Sequence, residues 1–309
     1  MDDTLAAIVY RGHVPESHHR ARVAITAPDG TLRLGLGDLQ RPTLPRSALK
    51  PFQVIAMLES GLDLADELLA LAGASHRGEP FHLDGARRIL AGVSLTETDL
   101  VNTADIPYDD DARLAWLRAG RGREPIAHNC SGKHAAMLRT CVRAGWPLEG
   151  YRDPAHPLQR AIRRVIEDWC GVVGEPVVDG CSAPAFATTL PGLARGFGRL
   201  AVADAGPAEA VASSYRRFGA WMSGTQDPTV GLLAGVPGCV AKGGAEAVLA
   251  VGLPDGTGVA LKMSDGMGRG RFAVLRAVLQ ALGHDWDGDE AGVVVAPELE
   301  QRLAVLRDD

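Results

Sequence analysis

Aromatic residues are scarce: Phe, Trp and Tyr make up 5% of 309 residues, so aliphatic side chains must build the core. No apolar run approaches the roughly 18 residues that a membrane-spanning helix requires. No basic run exceeds Arg87-Arg88, and 32 Lys and Arg against 38 Asp and Glu leave a net charge of −6. Such a chain is a poor ligand for nucleic acid, whose phosphates attract clustered cations. The five cysteines, Cys130, Cys141, Cys170, Cys181 and Cys239, form no CxxC pair, and an odd number points to reduced thiols. Met1-Asp2-Asp3 is acidic where a secretory signal would be basic, so a cytoplasmic protein is the expectation.

The remaining composition is that of a folded enzyme-sized protein. Hydrophobic residues reach 46% and charged residues 23%, enough to bury a sizeable core. Two β-prone runs, 22–27 and 31–34, flank Pro28-Asp29-Gly30, and two more, 247–252 and 259–263, flank Pro254-Asp255-Gly256. Each set predicts a hairpin. Between them lies a helical block with segments over 47–59, 63–72, 133–144, 157–169 and 208–222, and a further helix over 274–282 follows. The expected fold class is α/β in the broad sense (α+β): a mixed sheet from both chain ends with an inserted helical subdomain. The chain reads as a single catalytic domain, with a sheet lobe from about 1–46 and 238–309 and a helical lobe at about 47–237. Its last residues, 307–309, are expected to fray.

Five clusters could carry chemistry. Ser47-Ala48-Leu49-Lys50 places a hydroxyl and an amine one helical turn apart at a helix start. An amine that has lost its proton can take one from the serine and make it a nucleophile. The bland alternative is a capping serine before a solvated lysine. Lys242-Gly243-Gly244 on a later strand presents one cation beside glycines that let a backbone approach closely. The early SxxK answered by a late lysine-bearing strand has the order seen in serine β-lactamases and penicillin-binding proteins. The loops Asn129-Cys130-Ser131-Gly132-Lys133-His134 and Asp179-Gly180-Cys181-Ser182 carry thiols that are either buried hydrophobes or a weak metal signal. Ser75-His76-Arg77-Gly78-Glu79 could line a pocket, or could simply be a turn. His76, Glu79 and His82 lack HExxH spacing, and Pro80 is expected to interrupt any helix.

Taken together, Arg46 to Gln53, Ala74-Ser75-His76, the Asn129–His134 block, Asp179-Gly180-Cys181 and Lys242 to Ala245 resemble the bacterial L-asparaginase II family of the thermolabile, rhizobial type. The resemblance implies a serine β-lactamase-like fold and hydrolysis of L-asparagine to L-aspartate and ammonia. It assigns catalytic roles to Ser47 with Lys50 and to Ser75 with Lys242. It implies substrate-binding roles for Arg46, His76, His134 and Asp179, a Zn2+ site at Cys130, Lys133 and Cys181, and a homodimer. Three departures stand out. Arg77 replaces a small polar residue, Ser182 replaces a glycine or asparagine, and 227–238 is short and lacks a Gly-Arg…Thr…Met signature.

The reading that follows is an amidohydrolase acting on L-asparagine, a small-molecule substrate, with neither nucleic acid nor membrane as partner. A related serine amidase, acting on glutamine or β-lactams, keeps the fold and changes the substrate. A degenerate relative that binds an amide without turnover is the non-enzymatic alternative, motivated by the short 227–238 segment.

Overall fold

The computed structural model describes residues 3–288 and 290–307; Asp308 and Asp309, part of the tail expected to fray, lie outside the described residues. The strands are β1 (Thr4–Arg11), β2 (Val14–Thr26), β3 (Leu32–Leu36), β4 (Val173–Val178), β5 (Pro184–Ala187), β6 (Val240–Gly244), β7 (Val248–Gly252), β8 (Gly258–Met263) and β9 (Val293–Val295). The first six helices are α1 (Lys50–Glu59), α2 (Asp66–Ala72), α3 (Pro80–Ala91), α4 (Asp110–Arg118), α5 (Ser131–Ala144) and α6 (Pro157–Cys170). After them come α7 (Leu190–Ala201), α8 (Gly206–Arg217), α9 (Gly219–Ser223), α10 (Pro228–Gly235), α11 (Arg271–Ala281) and α12 (Pro297–Leu303).

Two compact units result. The sheet unit comprises Met1–Ala48, Thr188–Val202 and Gly231–Asp309, and the helical unit comprises Leu49–Ala187 and Ala203–Val230. A sheet assembled from both chain ends around a helical insertion is the α+β arrangement expected. The segment 188–202, which the sequence reading left in the helical lobe, belongs instead with the sheet.

In the sheet unit the strands run in the order β6-β7-β8-β2-β1-β9, with β3 also on β2. Among the described residues every ladder is antiparallel, so the sheet is not mixed in strand direction. Its central strands are buried on both faces: Val248 to Gly252 and Val259 to Leu261 are all inaccessible. Alternate side chains point to opposite faces, so both faces need cover. Helix α7 packs on β2, β7 and β8, and α11 packs on β8, β1 and β9. The α7 side is so close that a Cβ on Gly252 or Gly258 would lie 1.9 Å from the Phe197 or Ala194 carbonyl oxygen. Glycine in these strands is what lets the helix seat. Near one end of the sheet, Ser17 Oγ bonds His19 Nε2 at 2.9 Å and His19 Nδ1 bonds Asp265 Oδ2 at 2.7 Å, bracing the turn after β8 against β2.

The helical unit packs α1 on α6 and α8, α3 on α5, and α2 on α5 and α8. Pro80 starts α3 instead of interrupting it, because at a first helical position its missing N–H would have had no partner. The helix expected over 208–222 breaks into α8 and α9 at Phe218, whose φ of −125° and ψ of 42° leave the helical region. The small hairpin β4–β5 carries Cys181 between its strands.

Candidate active site

Within the helical unit the site forms where α2 ends and α5 begins. Gly73 terminates α2, and the following Ser75 and His76 are held by backbone bonds from Ser75 N to Met222 O (3.0 Å) and His76 N to Asn129 O (3.1 Å). Helix α5 starts just after Cys130. Gly132 in its first turn lets the end of α2 come near, since a Cβ there would stand 2.6 Å from Leu71 O. The glycine of the Cys-Ser-Gly-Lys-His block is therefore a packing requirement.

Lys50, the first residue of α1, is 1% exposed. Its Nζ donates to Ala74 O and lies within hydrogen-bond distance of Ser75 Oγ at 3.0 Å and Cys130 Sγ at 3.1 Å. The serine–lysine hydrogen bond seen in this unit is thus Ser75 with Lys50. Lys133, also 1% exposed, donates to Cys181 Sγ at 3.2 Å. Burial opposes its charge, yet the neighbouring Cys181 and Cys130 sulfurs hold its pKa above the usual amine range. Cys181 is correspondingly depressed, first by its contact with Cys130 and then, against burial, by the Lys133 ammonium. The two cysteines expected as either inert or metal-binding are therefore partners of buried amines. Cys141, Cys170 and Cys239 are buried, as expected.

The histidines support this cluster from behind. His76 is 1% exposed; Gly78 N donates to its Nδ1 at 3.1 Å, so Nε2 carries the proton toward Ser131 Oγ at 2.9 Å. His134 is fully buried, its Nδ1 bonded to Tyr151 Oη at 2.7 Å, and burial lowers its pKa to about 4. Neither imidazole is open to solvent. Asp179 is half-buried at the end of β4, its carboxylate accepting from Gly180 N at 2.7 Å. His82 stacks on His76 with ring centroids 5.0 Å apart, and Glu79 bonds Thr225 instead of pairing with either histidine.

Sequence reasoning passed over three groups here. His128 accepts from Cys130 N through Nδ1, Asn129 Oδ1 accepts from the Cys130 thiol at 3.2 Å, and Tyr151 buttresses His134. The first two flank Cys130 directly and could have been flagged by adjacency. Tyr151 has no local signal.

The zinc expectation can be tested on donor chemistry. Among the described residues no group of three or more His, Cys, Asp or Glu side chains is gathered to hold a metal, so a metal would need Lys133 as a donor. Two thiols and an amine suit zinc in kind, provided Lys133 gives up the proton that Cys181 now holds on it. Close by, the buried His134 Nε2 has no hydrogen-bond partner.

In the sheet unit, Ser47 lies half-buried in a 3-10 turn, Arg46–Leu49, that leads straight into α1. Strand β6 runs against this turn: a Cβ on Gly244 would sit 2.0 Å from Pro45 O and 3.3 Å from Ala48 N. Lys242, 3% exposed and two residues earlier, shares that strand face. The Lys-Gly-Gly element therefore brings its lysine to the side of the strand that meets the Ser47 segment. Arg46 lines a separate cavity with Arg22, Arg41 and Lys262.

A search of curated proteins finds no match to this chain. Solved structures similar to it include a Bacillus glutaminase (14% identity, TM-score 0.41), covering 86% of this chain and 91% of the glutaminase. A β-lactamase from Mycobacterium bovis gives 16% identity and a TM-score of 0.43, covering 84% of this chain and 94% of the other. A structure of Mglu gives 19% identity and a TM-score of 0.39, with 88% of this chain matched to 69% of that one. Likenesses at this level bear on neither substrate nor mechanism. The model of the L-asparaginase II family matches residues 7–302, nearly the whole chain. The chain belongs to the L-asparaginase II family, and with it to the amidohydrolases.

Proposed function

We propose that the chain hydrolyses L-asparagine to L-aspartate and ammonia through an acyl-enzyme. The family match over residues 7–302 carries this reading, and the buried contact of Lys50 Nζ with Ser75 Oγ at 3.0 Å supports it. In this reading Ser47 attacks the side-chain amide carbon, and Lys50 takes its proton and returns it to the departing ammonia. Water then hydrolyses the β-aspartyl ester. Ser75 and Lys242 pass protons and supply positive charge, Arg46 and Asp179 meet the charged ends of the substrate, and His76 and His134 fix the walls. Cys130, Lys133 and Cys181 would hold zinc, which would tie the two loops together; with a serine as nucleophile, a metal-bound hydroxide is unnecessary. The enzyme acts as a homodimer in the cytoplasm. Glutamine is the nearest competing substrate, because one methylene changes binding by only ~1–3 kcal/mol.

The Ser75–Lys50 bond favours a second assignment within the same chemistry, in which Ser75 is the nucleophile and Lys50 its base. Ammonia release from asparagine and glutamine, with mass spectrometry of the trapped acyl-enzyme, separates the two. Ser47→Ala is expected to lower turnover by at least about a thousandfold, the scale of losing a nucleophile. Retention of most activity in that variant ends the first assignment, and an acyl group mapped to Ser75 establishes the second. Absence of ammonia release from either amide by the unaltered protein, with asparagine still bound, would show a degenerate relative.

A further inference from the structure

The sheet unit contains a cavity of about 290 Å3, with Arg22, Arg41, Arg46 and Lys262 set against Asp3 and Glu246 in its lining. Arg22 on β2 and Lys262 on β8 are direct cross-strand partners, so their side chains leave the same face side by side. Like charges in that relation repel and destabilise a sheet. Arg22 is 4% exposed; its Nη1 donates to Asp38 O at 3.2 Å and Arg41 O at 3.0 Å. Its Nε, equally buried, makes no hydrogen bond, the Asp3 carboxylate standing 3.9 Å off. A buried guanidinium N–H without an acceptor is costly, and an acceptor from outside the chain would relieve it. Burial lowers the Lys262 pKa; Glu246 and Asp265 oppose that shift, and the Arg22 and Arg41 charges add to it.

The backbone is bent to the same end. Arg46 and Glu246 have φ of 54° and 55°, left-handed values that cost a side-chain-bearing residue energy and gather where structure serves a ligand. Gly266 makes room for the Glu246 carboxylate, since a Cβ there would meet Oε2. Four cations and two carboxylates line the cavity, Asp38 and Asp265 act on Arg22 and Lys262 from beside it, and Pro42 and Leu44 add apolar wall that a carbon skeleton could cover. We propose that this cavity binds a small dicarboxylate anion, one carboxylate on Arg22 and Lys262 and the other toward Arg41. The binding does not depend on the chain cleaving asparagine.

Calorimetric titration of the full chain with succinate, with inorganic phosphate and acetate as further arms, tests this. Succinate should bind saturably at one site per chain and more tightly than phosphate or acetate. Lys262→Gln and Arg41→Gln should each weaken it by about tenfold or more, the scale of losing one charge-assisted contact. Arg41 is exposed, so its variant tests the site even should Lys262→Gln perturb the sheet. The proposal is overturned by the absence of saturable succinate binding, by affinities unchanged in both variants, or by phosphate binding more tightly than succinate.

Discussion

The two units place cations in opposite circumstances. In the helical unit Lys50 and Lys133 are sealed from water, and each is met by hydrogen-bond acceptors, a sulfur among them. In the sheet unit Arg22 and Lys262 face each other across a ladder and Arg22 keeps one N–H without an acceptor. The first arrangement is electrostatically closed, and removing one partner strands a charge. The second is electrostatically open, and removing one partner relieves repulsion. A closed cluster preserves a geometry, whereas an open one holds free energy that an incoming anion can release.

The largest way to break this contrast is Cys181→Ala, which leaves the Lys133 ammonium buried without its counter-charge. In metal-free protein, chemical denaturation should show a loss of about 3–5 kcal/mol, and bound zinc, where present, should leave with it. A loss under 1 kcal/mol would mean that the helical unit is not closed in this sense. Next is the acid limb. His82 is buried, and burial lowers its pKa to about 4 against an ordinary value of 6.5. The folded chain therefore binds fewer protons here than the unfolded chain between those values. Its contribution to stability is intact above pH 6.5 and is lost toward pH 4, by up to about 1.4 kcal/mol per pH unit. Denaturant midpoints measured across that window should flatten in His82→Gln; an unchanged slope assigns the acid sensitivity elsewhere. The smallest effect sharpens the other side: Lys262→Gln should leave stability unchanged or raise it, by about 0.2–1 kcal/mol, as removal of an opposed like charge allows. A thermal melt showing clear destabilisation would mean that Lys262 is already compensated.

Much of this was legible in the residue order. The two hairpins and the helical insertion lie where pattern and turn chemistry put them. The departure at Ser182 also has a physical account: its φ is 66°, the left-handed region that favours the glycine or asparagine expected there. Arg77 is accommodated because Gly224, which would otherwise place a Cβ 2.6 Å from the Arg77 side chain, has none. What could not be read was tertiary. Nothing local marks Tyr151 as the partner of His134, or Lys50 as the donor to both Ser75 and Cys130, because those contacts join residues 17, 25 and 80 positions apart. Strand β1 escaped notice because its alternation is blurred by burial of adjacent residues such as Ala6 and Ala7. The cationic cavity draws on five separate stretches of chain and has no linear signature.

Strand β6 ends the sheet, so among the described residues one side of its backbone has no neighbouring strand. Such a margin invites a second molecule to add its own strand and begin a fibril. The Pro45–Ala48 turn presses onto the face of that same strand at Gly244. Loosening that turn would free the end of this strand to join such an addition and shorten the shelf life of the protein.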